Sequence, residues 1–194
     1  MQPLSGAQAW EELVIGNRRY ASGHPIRPRA TVARRAEVAP AQRPFAAILG
    51  CSDSRVPPEV LFDQGLGDLF VVRTAGHVLD QAAVGSLEYA VEHLRVPLVV
   101  VLGHRRCGAV DATAKGGPAE GGIAWLARAI GPSVEGARGR QGDLVENAVR
   151  LHVTRTAEEL RASQPILHPF VEKKAVEVVA AYYDLDTGLV SRLG

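Results

Sequence analysis

The stretch Ala46-Ala47-Ile48-Leu49-Gly50-Cys51-Ser52-Asp53-Ser54-Arg55-Val56 decides how the rest of the chain is read. An apolar run closes on a glycine, and a thiol, a carboxylate and a guanidinium follow at alternate positions. Leu98-Val99-Val100-Val101-Leu102-Gly103-His104-Arg105-Arg106-Cys107-Gly108 rhymes with it: a second apolar run, a second glycine, then an imidazole and a thiol. Short apolar runs rich in β-branched residues and bounded by turn residues read as buried parallel strands. Ligands of open α/β sheets bind at the carboxyl ends of strands. Both stretches are therefore expected to deliver metal-binding side chains to one rim.

Outward from these two stretches, strands are predicted over 45–50, 69–73, 97–102 and 175–183, with 189–190 pairing back as a short antiparallel strand after the turn at 184–188. Helices are predicted over 5–22, capped by Ser5, over 80–95, capped by Asp80, and over 143–162. Pro57 and Pro58 suit a helix start after Arg55. A further helix is predicted after Cys107, ending at Gly116-Gly117-Pro118, then a short one over 123–130 and a glycine-rich loop over 131–142. The fold class is α/β: a mostly parallel central sheet of four strands plus a short antiparallel edge strand, flanked by helices. Residues 1–44 form an N-terminal helix and extended arm, and residues 45–194 the α/β domain, with no second globular unit.

Residues 23–44 hold Pro25, Pro28, Pro40 and Pro44 and lack a periodic apolar face, so an extended connecting arm is expected. Six arginines and no acid lie between Arg18 and Arg35. A solvated basic surface is the plain reading of that run. A formal net charge of +1 argues against nucleic acid as the partner. Trp10 and Tyr20 on the first helix can pack within the chain or against a second subunit. The segment shows few signs of a self-contained fold, so at least a homodimer is expected, with the arm serving assembly before the central sheet.

The N-terminal residues 1–6 lack a basic-then-apolar leader pattern, and no apolar run reaches the ~18–20 residues of a membrane span. The chain has two cysteines, Cys51 and Cys107, one in each special stretch. That is no disulfide framework, and a cytoplasmic location is expected.

Cys51, His104 and Cys107 make a set of two thiols and one imidazole, which suits Zn²⁺. Three protein ligands leave a fourth tetrahedral position, the pattern of a catalytic zinc, one per chain. Asp53 and Arg55 can form a bidentate pair that keeps the carboxylate ionised and acceptor-only. Each feature has a plain counterpart, since cysteine is also a small buried hydrophobe and an Asp–Arg pair is also a surface ion pair. His24, His93, His152 and His168 carry no ligand spacing, whereas His77 lies just past the second strand on the same rim.

Cys51-Ser52-Asp53-Ser54-Arg55 together with Gly103-His104-x-x-Cys107-Gly108 resembles the β-class carbonic anhydrase family, from the N-terminal helix to the turn at 184–188. The resemblance implies that Cys51, His104 and Cys107 hold zinc and that Asp53 and Arg55 are the catalytic dyad. It also implies that Gln64 and the Gly108 N–H face bound substrate, that Asp53 can become a fourth ligand in a closed state, and that CO₂ and bicarbonate are the substrates. Dimers are implied to place active sites at the subunit interface. Thr74-Ala75-Gly76-His77 departs from the pattern, because many members carry asparagine at the last position. Two alternatives stay open: a carbon disulfide or carbonyl sulfide hydrolase with the same ligands, and a non-enzymatic zinc-stabilised binding module.

Overall fold

The computed structural model describes residues 4–194. Met1-Gln2-Pro3, on which part of the leader reading rests, lies outside the described residues. Five strands form one sheet in the order β2-β1-β3-β4-β5: β1 (Ala46–Cys51), β2 (Leu69–Thr74), β3 (Leu98–His104), β4 (Glu177–Tyr183) and β5 (Val190–Arg192). The first four are mutually parallel, and β5 runs antiparallel to β4. The fold class is the one predicted.

Alternation along the strands builds two apolar layers. Ala47, Leu49, Val99, Val101 and Val178 face α4 (Gln81–Glu92), α6 (Gly121–Ala137) and α7 (Leu144–Ala162). Ile48, Val100, Leu102 and Val179 face α1 (Gly6–Ala21) and α3 (Pro58–Leu61). Every residue of β1 and β3 is buried, which is why these strands read as continuous apolar runs. Burying each large aliphatic side chain is worth ~1.5–3 kcal/mol, so these two strands anchor the domain.

α1 begins in a capping box between Ser5 and Gln8 and buries Ala9 and Leu13 against the second layer. Trp10 and Tyr20 pack partly buried against that same layer, and the Tyr20 hydroxyl lies 3.3 Å from that of Tyr183. Asn17 donates to the carbonyls of Leu61 and Gly188 and accepts from Val190 N–H, tying α1 to α3 and to the C-terminal turn. α1 is thus a layer of the core. Removing the segment would therefore strip apolar cover from β3 and α3 as well as any contact it makes with a second subunit.

The arm differs from the extended chain expected, because α2 (Val32–Val38) forms within it, capped by Thr31. None of its residues is buried. Charge holds it instead. Arg34 donates to Leu66 O and lies 3.6 Å from Asp68, and Arg29 reaches Asp68 at 2.6 Å. A helix fastened by ions shows no apolar periodicity, which is the signal the sequence reading relied on. The arginine run therefore spends much of its charge inside the protomer.

Asp63 is the tightest of these anchors. It is 3% exposed and accepts from Arg19 Nε at 2.6 Å, Ile26 N at 3.1 Å and Arg27 N at 2.9 Å. Its φ of 46° is left-handed, which asparagine tolerates. Asp63→Asn therefore keeps the backbone conformation while removing the charge and setting an amide NH2 against an N–H that the carboxylate had accepted. We expect it to cost about 3 kcal/mol and to lower Tm by roughly 10 °C in calorimetry. Burial raises the Asp63 pKa and the Arg19 guanidinium and two N–H donors lower it, with a net lowering. This stabilisation is therefore present above the ordinary carboxylate range and is lost as pH falls through the depressed folded value.

Two further corrections concern helices. The predicted loop over 131–142 is helical as far as Ala137, with Pro132 inside α6. Ser133, Val134 and Ala137 are buried there, and Gly136 lets α7 approach: a Cβ at Gly136 would stand 2.8 Å from Leu151 Cδ2. Packing against α7 outweighs the helix-breaking residues. α8 (Leu167–Glu172), which has Pro169 within it, was not anticipated.

Candidate metal centre

Strand order places the site. The crossover from β1 leads to β2 on one side, and the chain then returns past β1 to lay β3 on its other side. The direction of winding reverses between β1 and β3, where the carboxyl ends of an open parallel sheet leave a crevice. Cys51 is the last residue of β1 and His104 the last of β3. Cys107 caps the N-terminus of α5 (Gly108–Lys115), three residues further on. Their ligand atoms all lie within 4.8 Å of one another, and all three residues are buried.

Each ligand atom is prepared by its surroundings. His104 Nδ1 lies 2.9 Å from Arg105 O, so that nitrogen carries the proton and Nε2 presents a lone pair. Nε2 is buried without a partner. Cys51 Sγ accepts from Asp53 N at 3.4 Å and Gly76 N at 3.3 Å. The hydrogen bond with Cys107 drives the Cys51 pKa down, and the same bond pushes the Cys107 pKa up. The N–H groups of Val110 and Ala109 at the start of α5 work towards the Cys107 thiolate. Two soft sulfurs and one imidazole nitrogen, His104 Nε2, buried with its lone pair unpartnered, fit a zinc ion.

Asp53 and Arg55 meet as expected. Arg55 Nε and its backbone N donate to Asp53 Oδ1 at 3.0 and 2.9 Å, and Nη2 donates to Oδ2 at 2.7 Å. These bonds hold the Asp53 pKa down to about 2. Oδ2 lies 3.9 Å from His104 Nε2, so the carboxylate borders the cluster.

Arg73 is a residue the sequence reading did not single out. It is the next-to-last residue of β2 and donates from Nε to Cys51 O at 2.9 Å and from Nη2 to Asp53 O at 2.6 Å, fixing the segment that carries both groups. An arginine ending the apolar run Leu69–Val72 was the available signal. Arg55 Nη2 also donates to Arg106 O at 3.2 Å.

Gly108 stands at the first position of α5, beside Cys107. Gln64 has both ends of its amide occupied, donating to Phe62 O at 3.0 Å and accepting from Arg29 Nη2 at 2.9 Å. Its hydrogen bonds therefore tie it to α3 and the arm. The His77 departure has a conformational reason. Its φ is 47°, in the left-handed region that histidine and asparagine both enter more readily than most residues.

Residues 46–190 match the family model described as carbonic anhydrase. The chain belongs to the β-carbonic anhydrase family. A carbonic anhydrase of Mycolicibacterium smegmatis is 43% identical over 188 residues, covering 94% of this chain and 90% of that protein. Carbonic anhydrase 2 of Mycobacterium tuberculosis H37Rv is 44% identical over 186 residues, covering 93% and 89%. Among solved structures, the Coccomyxa β-carbonic anhydrase in complex with acetazolamide superposes with a TM-score of 0.77 at 28% identity, over 93% of this chain and 84% of that one. In this β-carbonic anhydrase the matched region begins at β1, and Cys51 and His104 end β1 and β3, the neighbouring strands between which the winding reverses.

Proposed function

We propose that this chain catalyses the reversible hydration of CO₂ to bicarbonate and a proton, with one zinc ion held by Cys51, His104 and Cys107. The observation that carries the reading is the convergence of these three ligand atoms within 4.8 Å, beside a carboxylate locked by Arg55. Bound there, zinc supplies a Lewis acid that lowers the pKa of a coordinated water towards neutrality.

The rest falls to the chain. Asp53, ionised and acceptor-only, accepts a hydrogen bond from the attacking water and turns its lone pair towards CO₂. Arg55 holds both carboxylate oxygens so that Asp53 cannot rotate. As an oxygen of CO₂ gains charge, the Gly108 N–H at the start of α5 donates to it, aided by the helix terminus, a role supported by its position beside Cys107. The substrate hydrogen bond that the family resemblance gives Gln64 would require it to exchange its bond with Arg29.

Two thiolates and a neutral imidazole cancel the charge of Zn²⁺, so the water should titrate above the ~7 of a three-histidine site. Asp53 titrates far below this range and cannot produce the rise. Stopped-flow CO₂ hydration is expected to climb from about pH 6.5 to about pH 8.5 and to vanish with a chelator. Flat activity across that range, or full activity without metal, would refute the reading. Carbonyl sulfide in the same assay distinguishes a sulfur-substrate hydrolase.

We further propose that the enzyme is at least a homodimer. β2 is an edge strand with no further strand beside it among the described residues, and Val60 and Leu66 are exposed. A half-buried apolar strand at a sheet edge leaves a row of ladder groups unpaired, which a second subunit can cover. Light scattering should give at least twice the 20.7 kDa protomer mass, and a monomer at micromolar concentration would contradict it. Reduced ligand thiols suit a cytoplasmic location.

A further inference from the structure

Two histidines lie in the interior behind the metal cluster, outside the chemistry above. His77 sits in the single 3₁₀ turn Ala75–His77 that follows β2, and His152 sits in α7. Their rings lie 4.6 Å apart, and His77 has no exposed surface. Both ring nitrogens of His77 and Nε2 of His152 lack partners, while His152 Nδ1 lies 3.2 Å from Ser133 Oγ. Burial holds both pKa values down, that of His152 to about 4, so both rings are neutral near pH 7. A neutral, fully buried imidazole with no hydrogen bond acts here through its shape.

That shape bears on Cys51. Gly76 and His77 are successive left-handed residues, with φ of 66° and 47°. This turn brings the Gly76 N–H onto Cys51 Sγ at 3.3 Å. A left-handed residue other than glycine still carries a conformational cost that its surroundings must offset. The His77 ring supplies that hold on one side. It lies on His152 and against Gly103, where a Cβ would stand 3.4 Å from His77 Cε1. Ile130 and Ala109 close the other side, since a Cβ at Gly76 would meet Ile130 Cδ1 at 2.9 Å and Ala109 Cβ at 3.2 Å. One side chain thereby couples the turn after β2 to the end of β3, the two backbones that flank Cys51.

We infer that His77 is a positioning residue whose buried ring, backed by His152, holds the Gly76 N–H on the Cys51 sulfur and so withdraws charge from that thiolate. The inference rests on the proposal that Cys51 is a metal ligand. A hydrogen bond to a thiolate stabilises its lone pairs and weakens their donation. Losing the bond makes the sulfur a stronger donor and lowers the energy of sulfur-to-metal charge transfer.

The test uses the whole protein loaded with the NMR-active isotope of cadmium and, separately, with cobalt(II). In the wild type, cadmium should couple through sulfur to the Gly76 amide proton. If the protein binds no cadmium, the metal assignment itself fails. If cadmium binds and the Gly76 coupling is absent, this inference is overturned and the metal assignment stands. The wild-type measurement requires no variant to fold. His77→Asn keeps a residue that tolerates the left-handed backbone and removes the ring. It should bind metal at wild-type stoichiometry, lose the Gly76 coupling and shift the cobalt charge-transfer band to longer wavelength. Wild-type coupling and an unshifted band in His77→Asn, even with a lowered Tm, would reduce His77 to packing and overturn the inference.

Discussion

Arg55→Ala is expected to keep one zinc per protomer and to lower turnover about 100- to 1,000-fold. The side chain supplies two of the three hydrogen bonds that Arg55 gives Asp53, leaving only the backbone N–H on Oδ1. Without them the Asp53 pKa rises from about 2 towards its ordinary value and still lies below neutral pH. What is lost is orientation, with charge retained. The deficit should therefore fall on kcat and leave KM nearly unchanged. A freed carboxylate, already 3.9 Å from His104 Nε2, also gains access to the metal position. Arg55→Lys should recover only part of the loss, because an ammonium cannot form the planar fork that clasps both oxygens. Stopped-flow hydration paired with metal analysis checks both variants. Wild-type turnover in Arg55→Ala would remove the pair from the mechanism.

Cys107→Ser should empty the site and reduce hydration to the uncatalysed background. Cys107 is fully buried at the start of α5, with the N–H groups of Ala109 and Val110 favouring its thiolate. A serine hydroxyl is harder, shorter and far less acidic, so it offers zinc a poor donor at the same position. Losing a direct ligand should exceed the ~10–100-fold penalty in affinity that supporting partners of a ligand carry. Metal analysis after gel filtration reads this directly, and full zinc retention would strike Cys107 from the ligand set. A stability control accompanies it. A bound metal stabilises the folded state by mass action, so a chelator should lower Tm of the wild type and leave Cys107→Ser unmoved.

What could be read from residue order alone was local. The apolar runs ending at Gly50 and Gly103 announced strands because both β1 and β3 are buried on two faces. The thiol, imidazole and carboxylate immediately after those runs announced the site, because a strand end fixes where the next few side chains go. Asp53 and Arg55 are two residues apart, so their pairing needed no long-range information.

Other features came from contacts between distant segments. Arg73 reaches Cys51 O and Asp53 O only because β2 lies beside β1. α2 is held through Arg34 by Leu66 O and Asp68, 32 and 34 residues further along the chain, and so left no periodic trace. α6 continues through Gly131 and Pro132 because α7 packs on it. Gly103 is required by α7, since a Cβ there would stand 2.2 Å from Val153 Cγ2. The left-handed turn at Gly76 and His77, with its hydrogen bond to Cys51, has the His77 ring packed on His152 from α7. The sequence by itself determined which strand ends carry the chemistry. Only the tertiary structure decided which strands are neighbours, because strand order is set by the packing of whole layers, which no local periodicity encodes.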